Sequence, residues 1–314
     1  MIKLSNLYKM IKVSICCITY NHAPFIRQCL DGFLMQQCNF DFEILIHDDA
    51  STDGTQEIIK EYQKKYPEII KPIIQVENQW SRGVRGMNLR YNFPRAKGKY
   101  IALCEGDDYW TDPLKLQKQV NFLEANPEFA VTVGGFKKFN TYNNDSEDII
   151  KIISGVKKNE KGYEFDLYDL KKGWITKTLT AVFRNNSKVF NLLKPYKYGR
   201  DIHLFYHLLR TGKGFYFTEV FGVYNIHEGG VNSMKQGIVN KVAAYNCYKE
   251  LHLKNMDNFT RIMRFNHTLG LFNYLIKNKN MNNGEFNVVK LYFEAVFLLR
   301  KPKEIKSLLA AIIK

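Results

Sequence analysis

Blocks of consecutive apolar residues alternate along this chain with stretches whose apolar positions recur every three to four residues. The run 13–20, Val-Ser-Ile-Cys-Cys-Ile-Thr-Tyr, carries no charge and predicts a strand covered on both faces. It stops at Asn21-His22-Ala23-Pro24, and 25–37 then places Phe25, Ile26, Cys29, Leu30, Phe33 and Leu34 at helical spacing. A second strand is predicted at 42–47, followed by a helix over 56–66 with Ile58, Ile59 and Tyr62 on one face. A third strand at 69–75, a helix at 88–96 and a strand at 100–103 continue the alternation. Strands and helices at this spacing predict βαβ units and an α/β fold built on a mostly parallel sheet. Beyond Pro113 the pattern predicts a helix over 114–125, a strand over 129–139, a polar surface excursion over 140–161 and a β-prone run over 174–183. Asp201 opens a helix, 215–224 is a last strand, and from Ile238 onward the chain reads as helical and basic. The expected division is therefore a domain over 1–236 and a basic helical region over 237–314.

The polar residues that follow these strands carry the candidate chemistry. Tyr20-Asn21, Asp48-Asp49 and the acids Glu105, Asp107 and Asp108 all sit where a predicted strand ends. In parallel sheets, ligands bind beyond the carboxyl ends of the strands. Three acids within four residues repel one another. A divalent cation relieves that conflict: carboxylate oxygens suit Mg2+ or Mn2+, whose remaining positions go to water and phosphate oxygens. The cluster points to an enzyme that handles a diphosphate through a metal, with a solvated acidic turn as the plain alternative.

Composition narrows the class. With 314 residues, 45% hydrophobic and 14% aromatic, the chain can bury a substantial core. Its six cysteines form no CxxC pair and no His-Cys cluster, which is the usage of reduced, buried thiols in the cytosol. The first residues lack the long apolar stretch of a signal peptide, and no window has the length of a membrane span. A net charge of +15 favours a polyanionic partner: a phosphorylated substrate or an anionic membrane face. Nucleic acid is the weakest of the candidates, since no recognition motif for it is present.

Taken together, Val13-Ser-Ile through Tyr20-Asn21, the turn from Asp48 to Thr55, Ala96-Lys-Gly-Lys-Tyr-Ile-Ala and Glu105-Gly-Asp107-Asp108-Tyr-Trp110 resemble a family-two, inverting, GT-A bacterial glycosyltransferase over residues 10–235. Here Glu105-Gly-Asp107 stands where that family usually has Asp-x-Asp. The resemblance implies a GT-A fold, Rossmann-like, with a C-terminal helical extension. It implies that Tyr20 and Asn21 hold the nucleobase, that Asp49 accepts a hydrogen bond from a uracil or thymine imide, and that Ser51 of the same turn joins them in binding the nucleotide sugar. Glu105 and Asp107 would serve the nucleotide sugar, Asp107 and Asp108 the metal (Mn2+ or Mg2+), and Thr180, with Thr178 and Arg184, the donor-sugar side. Asp201 in Gly199-Arg200-Asp201 would be the catalytic base, and the loop opening at His227 would close on the diphosphate. The implied reaction moves a sugar from a UDP- or dTDP-linked donor to a hydroxyl of a glycan or lipid-linked glycan.

Two alternatives stand beside it. A nucleotidyltransferase would need a basic, Gly-rich loop after the first strand, where this chain has Tyr20-Asn21-His22-Ala23-Pro24. A scaffold that binds nucleotide sugar without turnover is the other. The region 284–314 mixes apolar residues with Lys and Arg, and reads equally as a segment lying on an anionic membrane face or as helices packed on the domain or in an oligomer. The implied location is the cytoplasm, with peripheral contact at the inner face of the plasma membrane.

Overall fold

The computed structural model describes residues 10–156, 158–230, 237–278, 282–283 and 286–312. The chain forms two compact units that divide after Gly230. In the first, the charge-free run becomes β1 (Val13–Thr19), buried along almost its whole length. It is followed by α1 (Ala23–Leu34), β2 (Phe42–Asp48), α2 (Thr55–Lys65), β3 (Ile70–Ile74) and β4 (Tyr100–Glu105). These four strands pair in parallel in the order β3-β2-β1-β4. Val13, Ile15 and Cys17 pack with Ile26, Cys29, Leu30 and Phe33 of α1, so the predicted helical stripe is the face that covers the sheet.

Next come β5 (Tyr109–Trp110), α3 (Lys115–Ala125), β6 (Phe129–Asn140), β7 (Ser146–Ile149), β8 (Gly162–Phe165), β9 (Val182–Arg184), α4 (Ser187–Leu193), α5 (Asp201–Leu208) and β10 (Lys213–Ile226). The sheet continues from β4 as β9-β6-β10-β5, with β7 added to β6 and β8 to β10. β9 pairs antiparallel with β4 and β6, β5 pairs antiparallel with β10, and β6 runs parallel to β10, so the sheet is mixed beyond its parallel half. Trp110 pins β5: its indole donates to the Leu179 carbonyl at 2.7 Å, its ring meets Phe33, and the buried Lys115 ammonium lies 4.0 Å over it.

Three segments differ from the periodicity-based expectation. Within 88–96, a five-residue π turn (Asn88–Asn92) runs into a 3-10 turn (Phe93–Arg95) in place of a regular helix. Pro94 lacks a backbone donor there, and the Arg95 guanidinium instead binds the carbonyls of Lys71 and Ile46 on β3 and β2. Of the β-prone run 174–183, Thr178–Thr180 is a 3-10 turn and only its end enters β9. The Thr180 hydroxyl accepts the Gly134 N–H and the Thr178 hydroxyl donates to the Glu105 carboxylate, so these two threonines make specific polar contacts rather than line a pleated face. The polar excursion over 140–161 contributes β7, paired to β6.

The second unit holds α6 (Ile238–Asn255), α7 (Asn258–Lys277), α8 (Val288–Leu298) and α9 (Pro302–Ile312). Asp257 caps α7 by accepting the Thr260 N–H at 2.8 Å. Arg264 pairs with Glu294 of α8 at 2.8 Å and Arg261 with Glu304 of α9 at 3.0 Å, which fixes both helices against α7. Among the described residues, no helix is long and apolar enough to cross a membrane. All six cysteines are free thiols, and every one but Cys38 is buried.

Gly98, ahead of β4, lies against β1 so closely that an added Cβ would stand 2.4 Å from the Ser14 nitrogen and 2.6 Å from the Val13 carbonyl carbon. Backbone cannot yield as a side chain does. Gly98→Ala should therefore cost about 3 kcal/mol, the upper end of overpacking effects, read as a lowered urea midpoint with an unchanged slope.

Candidate active site

Two loops at the carboxyl edge of the parallel sheet are tied together through their polar atoms. After β1, Asn21 adopts a left-handed backbone (φ 53°), and after β2 Ala50 does the same (φ 64°), a conformation uncommon for a residue with a Cβ. The Asn21 N–H donates to the Ser51 hydroxyl at 2.8 Å, and the Asn21 side-chain oxygen accepts the Thr52 N–H at 2.9 Å. Ser51 is anchored in turn to both carboxylate oxygens of Asp48. The first donors of α1 are met from the same turn: His22 N–H by the Thr55 hydroxyl and Ala23 N–H by Asp53, each at 2.9 Å. Burial pushes the Asp53 carboxyl up, but the Thr55 hydroxyl and the Ala23 and Thr55 N–H groups outweigh it and hold Asp53 below the usual range. Ser51 thus acts as a fastener between the loops.

Asp49 is buried at this edge. Its two carboxylate oxygens accept the N–H groups of Gln79 (2.8 Å) and Trp80 (3.0 Å), and its carbonyl accepts the Asn78 amide. It therefore orders the loop after β3, where Arg85 stacks 3.7 Å over the Trp80 ring. Each oxygen retains a second lone pair. Tyr20, 45% exposed, follows β1 at the same edge.

At the end of β4, Gly106 lets Asp107 approach β1: an added Cβ would stand 2.6 Å from the Thr19 hydroxyl oxygen. One Asp107 oxygen lies 3.1 Å from His227 Nε2 and 3.7 Å from His22 Nε2. His22 Nδ1 faces the Thr19 hydroxyl at 3.2 Å, which orients the ring with Nε2 toward Asp107. Phe25 packs on the His227 ring at 4.4 Å. The ligand atoms of His22, Asp107 and His227 lie within 4.8 Å of one another, a donor set that fits one divalent cation. Asp108 points elsewhere: it is buried and accepts the Asn225 N–H at 3.0 Å, while the Asn225 amide donates to the Asp107 carbonyl at 2.6 Å. Of the two acids expected to meet a metal, the one beside the histidines is Asp107.

The acids do not titrate alike. Burial and the neighbouring Asp107 push Glu105 up to about 7, against Lys177 and a 3.0 Å hydrogen bond from the Thr178 hydroxyl. Burial raises Asp108 as well, with Asp107 and Glu105 adding to it. Burial also acts upward on Asp107, but the His227 hydrogen bond and the charges of both histidines hold it below the ordinary value. Asp201, at the start of α5, is raised by burial against the Ile202 N–H, Lys177 and Arg200. Solvent nevertheless reaches Asp201.

Lys177 connects these groups. Its ammonium lies 3.3 Å from the Tyr224 ring centroid and acts electrostatically on Glu105, Asp108 and Asp201. Asp201, far along the chain, also feels Glu105, so base candidate and acid cluster share one region. Thr180 does not join them: it is fully buried with its hydroxyl on the Gly134 backbone, and it is Thr178 that faces Glu105. Arg184 spends its guanidinium on the carbonyls of Phe129, Leu123 and Asn126. The sequence reading did not single out His22, Lys177, Asn225 or the loop through Gln79 and Trp80. His22 adjoins the Tyr20-Asn21 pair, a signal that was available. The role of Lys177 depends on long-range contacts that no local pattern announces. Beyond Gly230, residues 231–236 of the His227 loop lie outside the described residues.

Two measurements test this geometry. Asp107→Asn and His227→Ala should each weaken Mn2+ binding by calorimetry at least tenfold, while Asp108→Asn, whose amide oxygen can still accept the Asn225 N–H, should leave Mn2+ affinity near the wild-type value. Because Lys177 holds the Asp201 carboxyl down, Lys177→Met should raise it. The acidic limb of a turnover–pH profile that depends on ionised Asp201 should then move to higher pH.

Comparison with known proteins places this arrangement. Over 119 residues the chain is 50% identical to an uncharacterised protein of Mycobacterium tuberculosis, covering 38% of this chain and 33% of that one. The match thus spans about a third of that relative's length. It is 28% identical over 224 residues to the UDP-Glc:alpha-D-GlcNAc-diphosphoundecaprenol beta-1,3-glucosyltransferase WfaP of Escherichia coli, covering 71% of this chain and 80% of that one. The fold is similar to that of S. aureus TarS in complex with UDP-GlcNAc (TM-score 0.56, 17% identity, 96% of this chain and 79% of that one). It is also similar to a mannosyltransferase of Pyrobaculum calidifontis in complex with GDP-Man and Mn2+ (TM-score 0.53, 16% identity, 96% and 86%). The expected GT-A fold is thereby shown. The family model for glycosyl transferase family 2 matches residues 14–201, more than half of the chain, and with the strand-end acids in place this chain belongs to that family.

Proposed function

We propose that the chain transfers a sugar from a nucleotide diphosphate sugar, UDP- or dTDP-linked, to a hydroxyl of a glycan or lipid-linked glycan, with inversion at the anomeric carbon. The observation that carries this reading is the convergence of Asp201, Lys177 and Glu105 with the His22–Asp107–His227 donor set at one edge of the sheet. Relatives named for glucosyl transfer to a diphosphoundecaprenol-linked sugar and to poly(ribitol-phosphate) support the substrate class. Tyr20, Asn21 and the loop ordered by Asp49 form the nucleobase end. Asp49 favours uracil or thymine, since its remaining lone pairs can take an imide N–H, which cytosine lacks.

His22, Asp107 and His227 would hold the metal. Two imidazoles with one carboxylate suit Mn2+ better than Mg2+, which prefers an all-oxygen shell. When bound, the metal neutralises charge that develops on the departing diphosphate. Asp201 accepts the acceptor hydroxyl's proton on a carboxylate oxygen as that hydroxyl's oxygen bonds to the anomeric carbon. The bond from that carbon to the diphosphate oxygen breaks in the same displacement. One base and no protein nucleophile give inversion. Lys177, held over Tyr224, opposes the upward pull of burial on the Asp201 carboxyl and adds positive charge where the diphosphate leaves.

Thermal denaturation with UDP, dTDP, GDP and CMP, each with and without Mn2+, tests the donor site. Metal-dependent stabilisation by UDP or dTDP is expected, and no shift with any nucleotide would overturn the reading. Asp201→Asn should retain that stabilisation and lose turnover by roughly 10²-fold or more, the range of general-base contributions. An Asp201→Asn enzyme with wild-type turnover would remove Asp201 from the mechanism.

A further inference from the structure

The second unit carries a surface that the catalytic reading does not use. On α8, Val288, Leu291, Ala295 and Leu298 are buried, yet a second apolar stripe faces outward: Val289, Phe293, Val296 and Phe297. Their spacing places them along one side of the helix. Phe293 and Phe297 are 64% and 71% exposed. Ile305 and Leu309 repeat the pattern on α9, also exposed, while Leu308 and Ala311 point inward.

Charge separates in the same way. Over 288–312 the acids are Glu294 and Glu304, and both are held inward, Glu294 by Arg264 and Lys249 and Glu304 by Arg261. The segment's cations, Lys290, Arg300, Lys301, Lys303 and Lys306, are all exposed. The outer face is thus apolar side chains edged by positive charge, with its acids neutralised from behind.

We propose that this face of α8 and α9 docks on an anionic phospholipid bilayer, with Phe293 and Phe297 entering the headgroup boundary and the lysines meeting lipid phosphates. A second copy of the chain fits less well. A two-fold interface sets the same patch against itself, and here that would bring like charges together. An anionic surface complements the charge and accepts the apolar stripe at once.

Co-sedimentation of the full chain with phosphatidylcholine vesicles, with and without phosphatidylglycerol, tests this at low and high salt, with no nucleotide or sugar present. The outcome is therefore independent of the donor-site reading. Binding is expected only with the anionic lipid and is weakened by salt. Phe293→Ser with Phe297→Ser, and separately Lys303→Glu with Lys306→Glu, should each lower the partition about tenfold or more. Because these side chains are exposed, the melting temperature should stay at the wild-type value, and the charge pair serves if the aromatic pair misfolds. Absence of binding, equal binding to neutral vesicles, or wild-type partition of both variants would overturn the proposal. So would lipid-free dimerisation abolished by the same substitutions.

Discussion

Glu105, Asp107 and Asp108 stand within four residues at the end of a buried strand, and most of the catalytic edge can be understood as the resolution of their mutual repulsion. Asp108 is buried and Glu105 and Asp107 are only partly exposed, so water screens their repulsion weakly and the fold answers each carboxyl separately. Glu105 receives the Thr178 hydroxyl and the field of Lys177 and is still pushed toward the neutral form. Asp108 is turned onto the Asn225 backbone. Asp107 keeps its charge because two histidines face it. The arrangement leaves one carboxylate, Asp107, within reach of two imidazoles, a donor set whose geometry is held by its neighbours.

The edge that presents these groups is stiff for a separate reason. The loops after β1 and β2 do not each satisfy their own backbone; they exchange donors and acceptors through Asn21, Ser51, Asp53 and Thr55. Orphan donors at the start of α1 are met by the neighbouring turn, so α1 cannot shift without breaking the turn after β2. Asp49 extends the chain of dependence to the loop through Gln79 and Trp80. A nucleotide arriving at this edge would meet a largely preorganised surface, which lowers the entropy lost on binding.

The second unit follows a different rule. Its helices are joined by ion pairs that neutralise acids in the interior, Arg264 with Glu294 and Arg261 with Glu304. A buried pair of this kind contributes little net stability but fixes how one helix meets another. The same pairing leaves the outer face of α8 and α9 without negative charge.

Much of the parallel half was legible from the residues alone. A strand covered on both faces is mostly apolar, so 13–20, 42–47 and 100–103 announce themselves, and the polar residues that end them mark the ligand edge. The family, the GT-A fold and the acid cluster follow from short local patterns. Periodicity failed where side chains make polar contacts instead of packing: Thr178 and Thr180 mimic a strand while forming a turn, and Arg95 with Pro94 replaces a regular helix. Only the tertiary structure decided that Asp107 and not Asp108 meets the histidines, that Thr180 is a backbone fastener, and that Lys177 and Asp201 join the acids. Those are contacts between residues from 46 to 120 positions apart. Sequence determines which chemistry the chain carries to each strand end, because that is written in local pattern. Which groups then share a proton or a cation depends on distances of a few ångströms, and these exist only once the sheet has brought its strand ends together.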